Sequence, residues 1–165
     1  MKLFVTGAAG FIGTNYVRHV LATTDDEVTV YDALTYAGNL SSLADVADDP
    51  RYAFVQGDIC DREAVAAAMA GHDAVVHFAA ESHVDRSIVD PDTFVRTNCL
   101  GTNVMCDVAR RVGVERFVHI STDEVYGSID EGSFTETASR SQMSPCTKRK
   151  RGSPSRSRRL DRFPA

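Results

Sequence analysis

The chain has 165 residues, 43% of them hydrophobic and 25% charged, which suits one soluble globular domain with its own core and leaves no room for a second, substrate-binding one. Met1-Lys2-Leu3-Phe4-Val5 runs straight into a glycine turn, and no apolar run approaches the roughly 20 residues that cross a bilayer. Neither a signal peptide nor a membrane span is therefore expected, and the expected location is cytoplasmic. The net charge of −5 hides two opposed parts, because residues 1–138 carry 22 acids against 9 bases whereas residues 139–165 carry 9 bases against the single acid Asp161.

The elements alternate along the body of the chain. An apolar run predicts a strand over 2–6. A helix follows over 11–22, with Ile12, Tyr16, Val17 and Val20 on one face, and a second strand over 28–31. Residues 52–56 read as a third strand, 61–70 as an alanine-rich helix N-capped by Asp61, 74–78 as a fourth strand, and 92–112 as a long helix ending at Gly113. Residues 116–120 give the fifth strand. Short, nearly continuous apolar strands joined by helices bury both faces only when helices lie on each side of the sheet. The fold class is a doubly wound parallel α/β sheet, an incomplete Rossmann fold without a substrate domain.

The glycines after the first strand have a mechanical reading. Gly7 lets the chain turn out of the strand, Gly10 lets backbone approach a pyrophosphate, and Gly13 lets the helix pack close while its N-terminal amides face the anion. Asp32, 19 residues beyond Gly13 at the end of the second strand, stands where an acid accepts hydrogen bonds from the adenine-ribose hydroxyls and repels a 2′-phosphate. This combination predicts NAD as cofactor rather than NADP. Asp58, after the third strand, is placed either to meet an adenine amino group or to serve as a plain loop acid.

Ile120-Ser121-Thr122-Asp123-Glu124-Val125-Tyr126-Gly127 puts a hydroxyl and two adjacent carboxylates at the end of the fifth strand, where open α/β sheets build their sites. Other polar residues have plainer readings. His77 and His119 lie in or beside apolar strands and are expected to be packed, hydrogen-bonded imidazoles. His83, Asp85 and Arg86 are expected in a loop as a surface ion cluster. Val95, Cys99, Thr102, Cys106 and Ala109, spaced by three or four, are expected to face the core. Cys60, Cys99, Cys106 and Cys146 form no Cys-x-x-Cys pair and have no histidine partner at finger spacing, so no metal site and no disulfide framework is expected.

Three segments together carry a family resemblance: Gly7-Ala8-Ala9-Gly10-Phe11-Ile12-Gly13, then His77-Phe78-Ala79-Ala80-Glu81-Ser82-His83-Val84-Asp85-Arg86-Ser87, then Thr122-Asp123-Glu124. Over residues 1–137 the chain resembles the extended short-chain dehydrogenase/reductases and, within them, the dTDP-glucose 4,6-dehydratases. The resemblance implies an NAD-dependent lyase of nucleotide-sugar metabolism acting in deoxysugar biosynthesis, antibiotic biosynthesis included. Its substrate is dTDP-glucose and its product the 4-keto-6-deoxy sugar. It implies Asp123 as the acid that assists loss of the C6 hydroxyl, Glu124 as the base at C5, and Thr122 as a sugar-binding group that polarises C4, with Ser82 also touching substrate. Phe11, Ile12, Ala33, Leu34, Thr35, Ile59, Phe78, Ala79, Ala80, Glu81 and Thr97 would join Gly7, Gly10, Gly13, Asp32 and Asp58 around the cofactor. A homodimer is implied, with the outer face of the long helix contributing to a helix bundle; no membrane partner is implied.

The departure lies further on. The family's Tyr-x-x-x-Lys motif is met here by Ser144-Pro145-Cys146-Thr147-Lys148-Arg149-Lys150, which sets Cys146 at the tyrosine position and Lys150 at the lysine position. Arg151 to Arg159 then offers Gly, Pro and Ser with no apolar periodicity. Two accounts remain open. A reading-frame change near Cys146, the favoured account, would rewrite every later codon and leave the chain inactive as it stands. Alternatively, the chain is a non-catalytic nucleotide-binding paralogue whose basic tail binds an acidic partner, nucleic acid being a minor option. Both accounts divide the chain into 1–137, a Rossmann domain, and 138–165, a basic tail. The tail has too little apolar surface to offset an ordering cost of about 1–2 kcal/mol per residue. It is therefore expected to be disordered, with rapid amide exchange and early proteolysis across 139–165; protected amides there would contradict the expectation.

Overall fold

The computed structural model describes residues 1–126, 131–135 and 137, apart from the side chains of Val84, Asp123 and Glu124. The expected tail, Cys146 and Lys150 lie outside the described residues. Two compact units divide at Asp123/Glu124. In the second, Tyr126 stacks on Phe134 with ring centroids 5.3 Å apart.

The first unit is built on five strands: β1 (Lys2–Thr6), β2 (Glu27–Asp32), β3 (Tyr52–Gln56), β4 (Ala74–His77) and β5 (Arg116–His119). All pair in parallel, in the order β3-β2-β1-β4-β5. Alternation along the strands explains the layers. Leu3, Val5, Val28, Val30, Ala74 and Val76 face one side, where they pack with Val17, Val20 and Leu21 of α1 (Phe11–Thr23). Phe4, Tyr31 and Val75 face the other, with Val65 and Met69 of α2 (Arg62–Met69) and Val104, Met105, Val108 and Ala109 of α5 (Thr102–Val112). Apolar residues on both faces of the central strands require helices on both sides, which is the doubly wound arrangement. The outer strands obey this less strictly, since Val55 of β3 and Val118 of β5 are partly exposed.

Local chemistry fixes the helix ends. Asp61 caps α2 by accepting from the N–H groups of Glu63 and Ala64. Arg51 donates to the carbonyls of Leu21 and Thr24 at the C-terminal end of α1, where a cation complements the helix dipole. Gly113, at φ 81°, ends α5 in the left-handed conformation.

Four expectations need correction. In α1 the buried positions are Gly13, Thr14, Val17, Val20 and Leu21, whereas Ile12 is exposed; the stripe is offset because the first turn packs on the loop after β1 through Gly13 and Thr14, whose hydroxyl donates to the Ala8 carbonyl. The segment expected as a loop around Asp85 and Arg86 contains a short helix, α3 (Val84–Val89). The long helix begins as α4 (Pro91–Phe94), widens into a π-helical stretch over Val95–Gly101, and continues as α5. That widening shifts the register, so Val95, Cys99 and Cys106 are exposed, Thr102 is half-buried, and of the expected stripe Ala109 alone is fully buried. His119 also departs from expectation, being exposed on the outermost strand.

His77 behaves as expected. It is fully buried, with Nδ1 2.6 Å from Thr6 Oγ1 and Nε2 3.3 Å from Thr102 Oγ1, and its ring lies 5.2 Å from that of His119. Burial, helped by the neighbouring His119, pushes its pKa down to about 4. The native state therefore holds a neutral ring where the unfolded chain, titrating near 6.5, takes up a proton. Stability should be intact above about pH 6.5 and decline as pH falls towards 4, by on the order of 2 kcal/mol from this residue. In urea unfolding at pH 7 and pH 4.5, His77→Asn should show a smaller loss between the two than the parent; an equal loss in both would remove His77 as the cause.

Candidate dinucleotide site

The site lies at the carboxyl ends of β1 to β4, on either side of the point where the strand order reverses. Glycine makes it possible. Gly7 has φ 69°, and a Cβ there would stand 2.5 Å from the Ala79 nitrogen and 2.8 Å from the Phe78 carbonyl carbon. The loop after β1 thus lies directly on the backbone leaving β4, a contact no side chain permits. A Cβ at Gly13 would stand 2.6 Å from Ala8 Cα and 2.7 Å from the Gly7 oxygen, so Gly13 brings the first turn of α1 against the same loop. Gly10 N-caps α1 with no side-chain partner for the terminal amides. The N-terminal end of this 13-residue helix therefore presents free N–H dipoles beside the loop.

Asp32 ends β2 and is nearly buried. Its Oδ2 accepts from Ala9 N–H at 3.0 Å and its Oδ1 from Leu34 N–H at 2.8 Å. One carboxylate thus ties the loop after β1 to the loop after β2. Leu34 stands at φ 52°, an unfavourable conformation for a branched side chain that the hydrogen bond to Asp32 offsets. The following turn folds back through Gly38, whose N–H donates to the Thr35 carbonyl, while Asn39 N–H donates to the Ala9 carbonyl.

Between these loops is a cavity of about 390 Å³. Gly7, Gly10, Asp32, Ala33 and Thr35 line it from β1 and β2, Asp58 and Ile59 from beyond β3, Phe78, Ala79, Ala80 and Glu81 from beyond β4, and Thr97 from the π-helical stretch. Phe11 and Ile12 project outwards at the start of α1 and, like Gly13 and Leu34, do not line it. Ser82 is exposed next to Glu81 and Thr122 is exposed after β5. Asp123 and Glu124 begin a 3₁₀ turn, Asp123–Tyr126, with their side chains outside the described residues. Tyr31, Ala37, Gly38, Gly57, Thr93 and Arg96 also line the cavity without having been singled out from the sequence. Gly38 and Gly57 were legible as glycines following strand-end acids or strands. Arg96 and Thr93 were hidden inside a segment read as core helix.

Each acid in the cavity has a partner. Asp58 accepts from Cys60 N–H at 2.8 Å and pairs with Arg96 at 2.9 Å. The Glu81 backbone is clamped by Asn98, which accepts from its N–H and donates to its carbonyl, both at 2.8 Å. The Glu81 carboxylate accepts from the Tyr36 hydroxyl at 3.0 Å. Burial of Tyr31, whose hydroxyl donates to the Asp58 carbonyl, pushes its phenol up to about 12. A Cβ at Gly57 would overlap that ring. Among the described residues no group of three His, Cys, Asp or Glu side chains is placed to hold a metal ion, and no helix is long and apolar enough to cross a membrane.

Comparison with known proteins agrees with this geometry. The family model described as GDP-mannose 4,6 dehydratase matches residues 4–154, running beyond Thr137. The dTDP-glucose 4,6-dehydratase of Streptomyces antibioticus is 58% identical over 142 residues, 82% of this chain and 42% of its own. That of Mycobacterium tuberculosis is 53% identical over 156 residues, 92% and 46%. Among solved structures, the dTDP-glucose 4,6-dehydratase DesIV from Streptomyces venezuelae, with NAD and TYD bound, superposes with a TM-score of 0.84 at 54% identity, covering 88% of this chain and 47% of DesIV. The UDP-Glc/GlcNAc 4-epimerase of Campylobacter jejuni gives 0.80 at 30% identity, 87% and 44%. The chain spans about half the length of the curated relatives it matches. With the parallel sheet, the glycine loop and the strand-end acid in place, the chain belongs to the GDP-mannose 4,6-dehydratase family of nucleotide-sugar enzymes.

Proposed function

We propose that this chain is the NAD-binding part of a dTDP-glucose 4,6-dehydratase, a cytoplasmic enzyme of deoxysugar biosynthesis. The observation that carries the reading is Asp32, held by Ala9 and Leu34 N–H groups at the edge of a cavity whose floor is the Gly7–Gly10 loop. The residues present fit a dinucleotide. A Cβ at Gly10 would meet only the Gly7 oxygen, 3.2 Å away, so its absence leaves backbone free to approach a diphosphate, the α1 amides can supply its hydrogen bonds, and Asp32 can accept from ribose hydroxyls. Related dehydratase structures contain NAD.

NAD held there by the glycine loop and Asp32 would supply the hydride acceptor for oxidation at sugar C4 and, after loss of water, the hydride that reduces C6. Of the remaining groups the reaction needs, this chain carries Thr122, Asp123, Glu124 and Ser82. Thr122 would hydrogen-bond the sugar near C4, Glu124 would take the C5 proton, which the neighbouring ketone makes acidic, and later return it, and Asp123 would act as the acid that donates to the departing C6 hydroxyl. Ser82 contributes a further hydroxyl to the sugar. Cys146 would occupy the position of the tyrosine that accepts the C4 hydroxyl proton, with Lys150 beside the ribose. A homodimer is the proposed assembly, supported by the exposed apolar side chains Ile88, Val89, Val95 and Leu100 on α3 and the helix that follows.

Titration calorimetry should show NAD binding at least about tenfold tighter than NADP, because the 2′-phosphate would face the Asp32 carboxylate; equal or tighter NADP binding would contradict the assignment of Asp32. A cysteine side chain is shorter than tyrosine by most of a ring, and a misplacement of about 1 Å can cost about a hundredfold in rate. The 165-residue protein should therefore yield no detectable 4-keto-6-deoxy sugar from dTDP-glucose. Turnover by the unaltered chain, abolished by Glu124→Gln, would show instead that another group serves as the C4 base.

A further inference from the structure

The loops after β2 and β4 are joined by one aromatic side chain. The Tyr36 hydroxyl donates to Glu81 Oε2 at 3.0 Å, and the Arg86 guanidinium carbon stands 3.9 Å from the centre of the Tyr36 ring. The first contact is a hydrogen bond to an acid, the second a cation stacked on a π face, so the two hold the ring from its tip and from its side. Burial and the bond to Glu81 raise the Tyr36 pKa, so the phenol keeps its proton and remains a donor. Neither contact supports the core, because Tyr36 is half exposed and Arg86 exposed.

Strand order shows what this bridge crosses. β1 lies between β2 and β4. A link from the β2 loop to the β4 loop therefore spans the carboxyl end of β1, where the Gly7–Gly10 floor of the cavity lies, with Tyr36 and Arg86 outside the cavity lining itself. Thr35 and Gly38 on one side of Tyr36, and Glu81 at its far end, all line that cavity. An extended dinucleotide with its diphosphate on the glycine loop would lie across the strand ends, beneath the link.

We propose that Tyr36, held by Arg86 and Glu81, is a strap over the middle of the dinucleotide that must part for the ligand to enter or leave. The proposal rests on the dinucleotide reading given above. Because the ring is held by the chain's own Glu81 and Arg86 and not by the ligand, it raises the barrier to both passages rather than adding a contact to the bound dinucleotide. Its signature is kinetic.

The test uses the 165-residue protein and NADH fluorescence in a stopped-flow instrument. Uptake is followed on mixing, release on displacement by excess NAD. Tyr36→Ala should accelerate both by about tenfold and leave Kd within about twofold. Tyr36→Phe, which keeps the ring and loses the bond to Glu81, and Arg86→Ala, which keeps that bond and loses the stacked cation, should each give a smaller acceleration. Combining Arg86→Ala with Tyr36→Ala should add little to Tyr36→Ala alone, because the ring carries both contacts. Unchanged rates would overturn the strap, as would faster release matched by an equal loss of affinity, which would make Tyr36 an ordinary contact. A parent protein that takes up no dinucleotide would overturn the cofactor reading and the strap with it.

Discussion

The site depends on one steric fact, that the loop after β1 and the chain leaving β4 touch backbone to backbone at Gly7. A Cβ there would stand 2.5 Å from the Ala79 nitrogen, well inside any tolerable contact, at a φ that disfavours L side chains in any case. From that contact the rest follows in order. Gly7 N–H can reach the Tyr31 carbonyl and Phe78 N–H the Thr6 carbonyl, which continue the β1–β2 and β1–β4 ladders past the last paired residues. The ladders carry Asp32 and Glu81 to opposite walls of one cavity. Gly13 then lets α1 start against the same loop, so its amides open towards the space that the two walls enclose.

The fold was legible because its central strands are apolar on both faces. Leu3 and Val5 could have been buried by one layer of helices, but Phe4 and Tyr31 between and beside them require a second, and the alternation of helix with strand supplies it. Where side chains meet a simple boundary, as at the Asp61 cap or the Gly113 terminator, sequence and structure agree closely. The failures share a cause. Val95, Cys99 and Cys106 obey a 3.6-residue spacing in a segment that is not a 3.6-residue helix throughout, and no composition signal announces a π-helical turn. Gly101 gives a hint in retrospect: a Cβ there would stand 2.6 Å from Ile59, so the widened helix is pressed against the β3 loop at that point.

The cavity was only partly legible for a related reason. Residues contributed by strand ends could be found by counting from glycines and acids, which identified Asp32, Asp58 and the run from Phe78 to Glu81. Residues contributed from the side could not. Arg96 reaches Asp58 across 38 positions of sequence, Asn98 clamps Glu81 from the π-helical stretch, and Tyr36 meets Arg86 by a fold-dependent approach of two loops. Each is a polar residue on a helix or turn whose local pattern predicts solvent, and whose partner is set by strand order alone.

Charge gives the arrangement a further logic. Among the described lining residues Asp32, Asp58 and Glu81 oppose a single cation, Arg96, a poor setting for a diphosphate if formal charges decided the matter. They do not, because each carboxylate is already engaged: Asp32 by two backbone N–H groups, Asp58 by an N–H and a guanidinium, Glu81 by a phenol. A carboxylate that accepts several hydrogen bonds presents less field to its surroundings than a free one. The unspent dipoles are the N–H groups at the start of α1, whose far end is held by Arg51. The attraction for an anion thus comes from oriented backbone at the centre of the site, while the acids at its edges are left to select hydroxyl and amino donors on either side.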